Sequence, residues 1–229
     1  MLMQVLGGRS EAWMSLTTLG NLTIRMDQRR GGACALIAIK ERRLCKTRLS
    51  RALAPVARIE LVRSMLAAVL SAASHAETVG QIVVVSPERD SVPTDVPVLA
   101  DTGESLNSAL TQAYRVLCES GCQEVMILPA DLPNITAAEI DDFVRASRNG
   151  GFSIAPDARG MGTNALCLGS GQPFRFQFGL DSQRLHLHEA ERQGFHPRVV
   201  RLPGLEFDVD LPADLSRLDS QRWLTRLQA

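Results

Sequence analysis

The sequence predicts an α/β fold, a layered sheet with helices packed on it. Three kinds of segment alternate along the chain: short continuous apolar runs, helically spaced apolar residues, and clusters of turn formers. Cys34-Ala35-Leu36-Ile37-Ala38-Ile39 opens the series with the pattern of a strand buried on both faces. Pro55 suits the first turn of a helix, and Val56, Ile59, Val62, Leu66, Val69 and Ala73 keep helical spacing to about Ser74. Ile82-Val83-Val84-Val85 is a second buried strand, ended by Ser86-Pro87, and a Pro- and Asp-rich stretch leads on to Val98-Leu99-Ala100. Leu106, Leu110, Ala113 and Leu117 mark a second helix with Gly121 as its terminator. Val125-Met126-Ile127-Leu128 is the third strand, and Thr136 with Glu139 forms a capping box that opens another helix. Phe152 to Ala155, Ala165 to Leu168 and Val199 to Leu202 read as strands, with a helix from Ser182 to about Gln193. In such sheets ligands gather beyond the carboxyl ends of the strands, where the strand order reverses.

At 229 residues the chain is long enough for one compact domain with a sizeable core. Lys and Arg number 25, as do Asp and Glu, which excludes the basic excess of a general nucleic-acid or membrane-surface binder. Charge therefore has to be read locally. No apolar run approaches the ~20 residues that span a bilayer. The odd set of cysteines, Cys34, Cys45, Cys118, Cys122 and Cys167, shows no framework spacing and predicts reduced thiols in a cytoplasmic protein. Cys118 and Cys122 stand about one helical turn apart and read as packing residues, since no second Cys or His pair accompanies them for zinc. Residues 1–32 mix Gly7, Gly8, Arg9, Asp27 and Arg29 with short apolar stretches and lack the features of a secretion signal. They read as a poorly ordered N-terminal extension, and residues 33–229 as a single domain.

Candidate chemistry begins after the first strand, where Lys40, Arg42, Arg43, Lys46, Arg48 and Arg51 are offset by Glu41 alone. A triphosphate needs such a concentration of charge; a solvated basic helix face is the plainer reading. In Pro129-Ala130-Asp131-Leu132-Pro133 the prolines stiffen the turn and hold Asp131 where a carboxylate can ligate Mg2+, although Asp is also an ordinary turn residue. In an extended Phe207-Asp208-Val209-Asp210-Leu211-Pro212, Asp208 and Asp210 point the same way. Like charges so close repel unless a cation or basic group stands between them. The alternatives are an exposed strand face, or Asp210 as a cap on the helix that Pro212 begins. Gly160-Met161-Gly162 lets backbone approach an anion, with Thr163 and Asn164 adding polar groups. Following Phe178-Gly179-Leu180-Asp181, Ser182 is placed to cap a helix whose first N–H groups suit a phosphate or carboxylate. His186 and His188 diverge by roughly 200° on a helix and make a poor joint metal site. Asn107 either contacts a nucleotide or fixes the turn before the second helix. No G-x-x-x-x-G-K-[ST] precedes a helix and no G-x-G-x-x-G follows the first strand, so the P-loop and dinucleotide-binding classes are excluded.

Taken in order, these segments resemble those of the 2-phospho-L-lactate guanylyltransferase family of coenzyme F-420 biosynthesis. Phosphoenolpyruvate and 3-phospho-D-glycerate guanylyltransferases are included in it, and it is related to the molybdenum-cofactor nucleotidyltransferases. The matching stretches are Ala38-Ile39-Lys40 with Lys46-Thr47-Arg48-Leu49, Asp101 to Asn107, and Pro129 to Pro133. Gly162 to Leu166, Phe178-Gly179 with Ser182 and His186, and Asp208-Val209-Asp210 complete the set, over about residues 33 to 220. The resemblance implies a nucleotide-diphospho-sugar-transferase-like α/β fold, a three-layer sandwich with a central mixed, mostly parallel sheet. It implies transfer of a guanylyl group from GTP to a small phosphorylated acid, with Mg2+ as cofactor and pyrophosphate released. By the same likeness Asp131, Asp208 and Asp210 hold the metal, with Lys46 beside them in the catalytic set. Lys40, Lys46, Arg48 and Asn107 meet the nucleotide, and Thr163, Asn164, Gly179 and Ser182 take the acid. The sequence departs from the family at Ala38, where proline is frequent, and at Ser105, where glycine is. The expected partners are GTP and the acid, with a homodimer left open, and neither nucleic acid nor a membrane.

Two other classes compete. A molybdopterin-type nucleotidyltransferase usually carries a glycine-rich loop after strand one, which Glu41-Arg42-Arg43 does not supply. A non-catalytic nucleotide-binding regulator would keep the basic loop but have no use for three convergent carboxylates.

Overall fold

The structure, a computed structural model, describes residues 18–19, 22–23, 31–39, 46–101 and 105–218. The extension expected over residues 1–32 thus lies almost wholly outside the described residues. What is described of it before residue 31 is an antiparallel pair, β1 (Thr18–Leu19) with β2 (Leu22–Thr23). Lys40 also lies outside the described residues, with the charged stretch up to Cys45.

The main sheet begins with β3 (Ala33–Ala38), α1 (Pro55–His75), β4 (Val79–Ser86), β5 (Val98–Ala100), α2 (Leu106–Glu119) and β6 (Glu124–Pro129). It continues with α3 (Ala137–Arg148), β7 (Phe152–Pro156), β8 (Thr163–Gly169), α4 (Ser182–Arg192), β9 (Arg198–Val199) and α5 (Pro203–Glu206). The seven strands stand in the order β5-β4-β3-β6-β8-β7-β9. Parallel pairing joins β5, β4, β3 and β6, whereas β8 pairs antiparallel with both β6 and β7, and β9 lies parallel to β7. The sheet is therefore mixed and mostly parallel, as expected.

Strand side chains alternate between faces, and β3 shows what each face meets. Ala33, Ala35 and Ile37 pack in one cluster with Leu66 and Val69 of α1 and Ile140 and Phe143 of α3. Cys34 and Leu36 face the other way, with Leu110 and Leu117 of α2 and Ala190 of α4. Helices cover both faces, which explains why the central strands read as unbroken apolar runs. From β3 the chain moves through α1 to β4, while from β5 it returns through α2 to β6 on the other side of β3. The carboxyl ends of β3 and β6 therefore form the switch point of the sheet.

Some local readings need correction. Val200 to Leu202 leave the ladder after one hydrogen bond from Val200 N–H to the Ile154 carbonyl (2.9 Å), because Pro203 starts α5. Cys34 and Cys122 form a disulfide, contrary to the expectation of reduced thiols throughout. Gly121, with φ of 96°, ends α2 before Cys122 and turns it off the helical face that Cys118 occupies. Cys122 then sits at the foot of β6, beside β3, with its Cα 6.4 Å from that of Cys34, well within disulfide reach. Among the described residues no helix is long and apolar enough to cross a membrane.

The turn between α1 and β4 rests on a single carboxylate. Asp141 of α3, buried, accepts from Thr78 N–H (2.8 Å), Thr78 Oγ1–H (2.7 Å) and Glu77 N–H (3.2 Å). Asp141→Ala leaves these donors unsatisfied and is expected to lower stability by about 2–3 kcal/mol. Thermal melts should show the loss while turnover per folded molecule stays unchanged, since the turn lies outside the site.

Candidate active site

The switch point opens into a cavity of about 570 Å³, within the usual range for a small-molecule site. Stretches far apart in the chain reach it. Lys46 comes from beyond β3, Asn107 from the start of α2 and Asp131 from the turn after β6. Thr163 and Asn164 come from the first two positions of β8, Gly179 and Ser182 from the entry to α4, and Asp208 and Asp210 from the segment after α5.

That last segment is placed by its apolar residues. Phe207 and Val209 are buried against Leu49, Leu61 and Met65, which turns the intervening Asp208 and Asp210 toward the cavity. The alternation inferred from sequence holds, although no ladder is formed there. Upstream anchors fix the register: Glu139 accepts from Gly204 N–H (2.7 Å), and the Asn164 amide donates to the Leu205 carbonyl (2.9 Å). Downstream, Asp214 accepts from the N–H groups of Asp210 and Leu211, so Asp210 is no helix cap.

Lys46 holds the centre. Its ammonium lies 2.6 Å from Asp131 Oδ2 and 2.8 Å from Asp210 Oδ1, with only 8% of the side chain exposed. Burial alone would lower its pKa, but the two carboxylates overcome that and hold it above the usual lysine range. The residue pays for this position with a left-handed backbone, φ 55°, which is uncommon for a side chain with a Cβ. Arg48 stands farther out, 72% exposed and 3.7 Å from Asp210 Oδ2.

Asp208 is the carboxylate that Lys46 leaves alone. Burial, followed by the charges of Asp131 and Asp210, pushes its pKa up to about 6 from 3.8. The native state thus keeps a proton that the unfolded chain has released between these values. The contribution of this one group to stability is greatest below 3.8 and is lost as pH rises through about 6. Asp208→Asn removes the ionisation and is expected to stabilise the metal-free protein at pH 7.5 by about 1–2 kcal/mol, after discounting for partial exposure. Melting temperatures from pH 4 to 8 test this; an Asn variant melting no higher than wild type at pH 7.5 contradicts it.

Among the described residues no three His, Cys, Asp or Glu side chains stand ready to hold an ion as placed. The Lys46 ammonium occupies the space between two of the three candidate ligands. The donor set itself suits a hard divalent cation, being all carboxylate oxygen, and the mutual repulsion at Asp208 marks a place short of positive charge.

The remaining polar groups around the cavity are held by the chain itself. Asn107 clamps the Phe178 backbone: its Oδ1 accepts from Phe178 N–H (2.7 Å) and its Nδ2 donates to the Phe178 carbonyl (3.1 Å). It fixes the turn carrying Gly179 rather than the one before α2, and it still lines the cavity. That glycine has φ of 136°, open only to a residue without Cβ at low cost. Ser182 is the first residue of α4 rather than its cap; Asp181, left-handed at φ 60°, is the N-cap and makes no side-chain cap hydrogen bond. The Gly160-Met161-Gly162 turn does meet an anion, but it is the chain's own. Asp157 Oδ1 accepts from the N–H groups of Met161 (2.9 Å) and Gly162 (3.0 Å). Sequence reasoning passed over Asp157; its position ahead of a Gly-rich turn, where Asp bonds backbone beyond itself, was the available signal. Fully buried His186 lies between Thr163 Oγ1 (3.0 Å from Nδ1) and Gln177 N (2.8 Å from Nε2).

A switch-point cavity lined by a lysine, three acidic side chains, and hydroxyl and backbone donors, on this sheet, defines a nucleotidyltransferase of the nucleotide-diphospho-sugar-transferase fold. Within that class, the chain belongs to the family described as guanylyl transferase CofC like, whose sequence profile matches residues 33–219. The phosphoenolpyruvate guanylyltransferase of Sphaerobacter thermophilus is 35% identical over 188 residues, covering 80% of this chain and 91% of that protein. The one from Rubrobacter xylanophilus is 36% identical over 191 residues, covering 81% and 93%. Among solved structures, CMP:2-keto-3-deoxy-manno-octonic acid synthetase complexed with CTP matches with a TM-score of 0.52 at 14% identity, over 86% of this chain and 100% of that one. The 4-diphosphocytidyl-2C-methyl-D-erythritol synthase of Anaerococcus prevotii matches with a TM-score of 0.55 at 11% identity, over 86% and 97%. At these identities the structural likeness is one of fold.

Proposed function

We propose that the protein transfers the guanylyl group of GTP to phosphoenolpyruvate, or to a closely similar phosphorylated acid such as 2-phospho-L-lactate or 3-phospho-D-glycerate, as a step of coenzyme F-420 biosynthesis. The convergence of Lys46, Asp131, Asp208 and Asp210 on one cavity also lined by Thr163, Gly179 and Ser182 carries this reading. The names of the relatives support the choice of acid.

In the reaction a phosphate oxygen of the acid attacks the α-phosphorus of GTP while the bond to the β-phosphate oxygen breaks. Pyrophosphate leaves with the electron pair of that bond. The attacking phosphate is already ionised near pH 7, so no general base is assigned; the task of the site is charge neutralisation and in-line positioning. Lys46 exchanges its carboxylate partners for phosphate oxygens as the nucleotide enters, and Arg48 adds charge at the rim. Thr163, Gly179 and Ser182 orient the acid, while Asn164 keeps Asp208 aimed inward. Asp131, Asp208 and Asp210 would hold Mg2+, which supplies positive charge to the two anionic reactants.

Incubation with GTP, Mg2+ and each acid in turn, read by mass spectrometry of the product, tests the reading. A guanosine diphospho-acid with one equivalent of pyrophosphate is expected. No product with any acid would leave the non-catalytic regulator as the better account; turnover only with a molybdopterin substrate would favour that class.

A further inference from the structure

We infer that His186 is a positioning residue that directs the Thr163 hydroxyl hydrogen into the cavity, favouring an oxygen acceptor on the substrate. The inference rests on the reading of Thr163, Gly179 and Ser182 as the acid subsite.

Gln177 N is a backbone N–H and can only donate, so His186 Nε2, 2.8 Å away, accepts and carries no hydrogen. Burial, slightly offset by Glu189, holds the imidazole down to about 4, and the ring is neutral near pH 7 with its one hydrogen on Nδ1. Nδ1 lies 3.0 Å from Thr163 Oγ1 and therefore donates to it. With that lone pair taken, the Thr163 hydrogen has to point elsewhere, and among the described residues no acceptor takes it. The side chain lines the cavity, so the hydrogen is left to the substrate.

The ring cannot turn to reverse this polarity. It is fully buried, with Phe178 edge-on at 4.8 Å between centroids and Phe174 at 6.0 Å. Its position one helical turn beyond Ser182 lets α4 serve both residues from one face. Since Gln177 and Phe178 lead directly into Gly179, the same imidazole also ties the acid loop to β8. A carboxylate or phosphate oxygen takes the Thr163 hydrogen, whereas a substrate group that can only donate, such as an amide N–H, reaches only the remaining Oγ1 lone pair and leaves that hydrogen unused.

Two measurements test this. Nitrogen-15 NMR of wild-type imidazoles should place the His186 proton on Nδ1; a proton on Nε2 overturns the inference, whatever the enzyme's substrate. In steady-state kinetics His186→Leu and Thr163→Val should each raise the KM for phosphoenolpyruvate about tenfold or more, with the KM for GTP changed less than about twofold. The double variant should be no worse than the poorer single, because both remove one relay. His186→Gln, whose amide can accept from Gln177 and donate to Thr163, should stay within about threefold of wild type. Additive losses, or a GTP KM that rises in step, would mean that His186 merely packs. Absence of turnover by wild type with every acid would instead count against the proposed function, and the tautomer would still be read.

Discussion

The Asp131→Asn variant is expected to turn over at least ~10³-fold more slowly than wild type, with its fold intact. Asp131 stands between two prolines at the end of β6, where the turn rather than the carboxylate sets the backbone. An amide of the same shape therefore leaves the packing alone. Lys46 keeps its 2.8 Å partner Asp210 in the variant, so no buried charge is stranded. What is lost is a formal charge at the place where two anionic reactants have to be brought together. Circular dichroism and a melt within a few degrees of wild type, beside rates of guanosine diphospho-acid formation, separate the two effects. Wild-type turnover in this variant would remove Asp131 from the mechanism.

Lys46→Met has two consequences of opposite sign. Turnover falls by about 10²–10³-fold, because the charge meant for the phosphates is gone. Divalent cations, in contrast, bind the nucleotide-free variant more tightly, by about tenfold or more, since the Lys46 ammonium no longer stands 2.6 and 2.8 Å from Asp131 and Asp210. Without metal the variant loses about 2–3 kcal/mol of stability because the partly buried Asp131 and Asp210 carboxylates lose the Lys46 ammonium, and Mn2+ restores it. Titration calorimetry with Mn2+ in the absence of GTP gives the decisive reading. Equal affinity in variant and wild type would mean that the Lys46 ammonium does not compete for the carboxylates.

Much of this protein can be read from short windows of sequence. The strands at Cys34, Ile82 and Val125, the helix that starts at Pro55 and the Thr136–Glu139 capping box all depend on residues within a few positions of one another. The box forms as expected, with Glu139 N–H on Thr136 Oγ1 at 3.2 Å. Errors arose where a neighbour in space overruled the local pattern. The Cys34–Cys122 pair links positions 88 residues apart, and no spacing rule brings them together. Asn107 bonds the backbone of Phe178, 71 residues on, a partner that no local pattern announces.

Periodicity is local: burial on one or two faces is written into every second or every third to fourth residue, so the layers, the strand alternation and the inward turn of Asp208 and Asp210 belonged to the sequence. Partnership is not local. Lys46 reaches Asp131 and Asp210 across 85 and 164 residues, and His186 acquires its tautomer from the backbone of Gln177. Hydrogen bonds and ion pairs act over about 3 Å, and only the packed sheet brings such distant residues within that range.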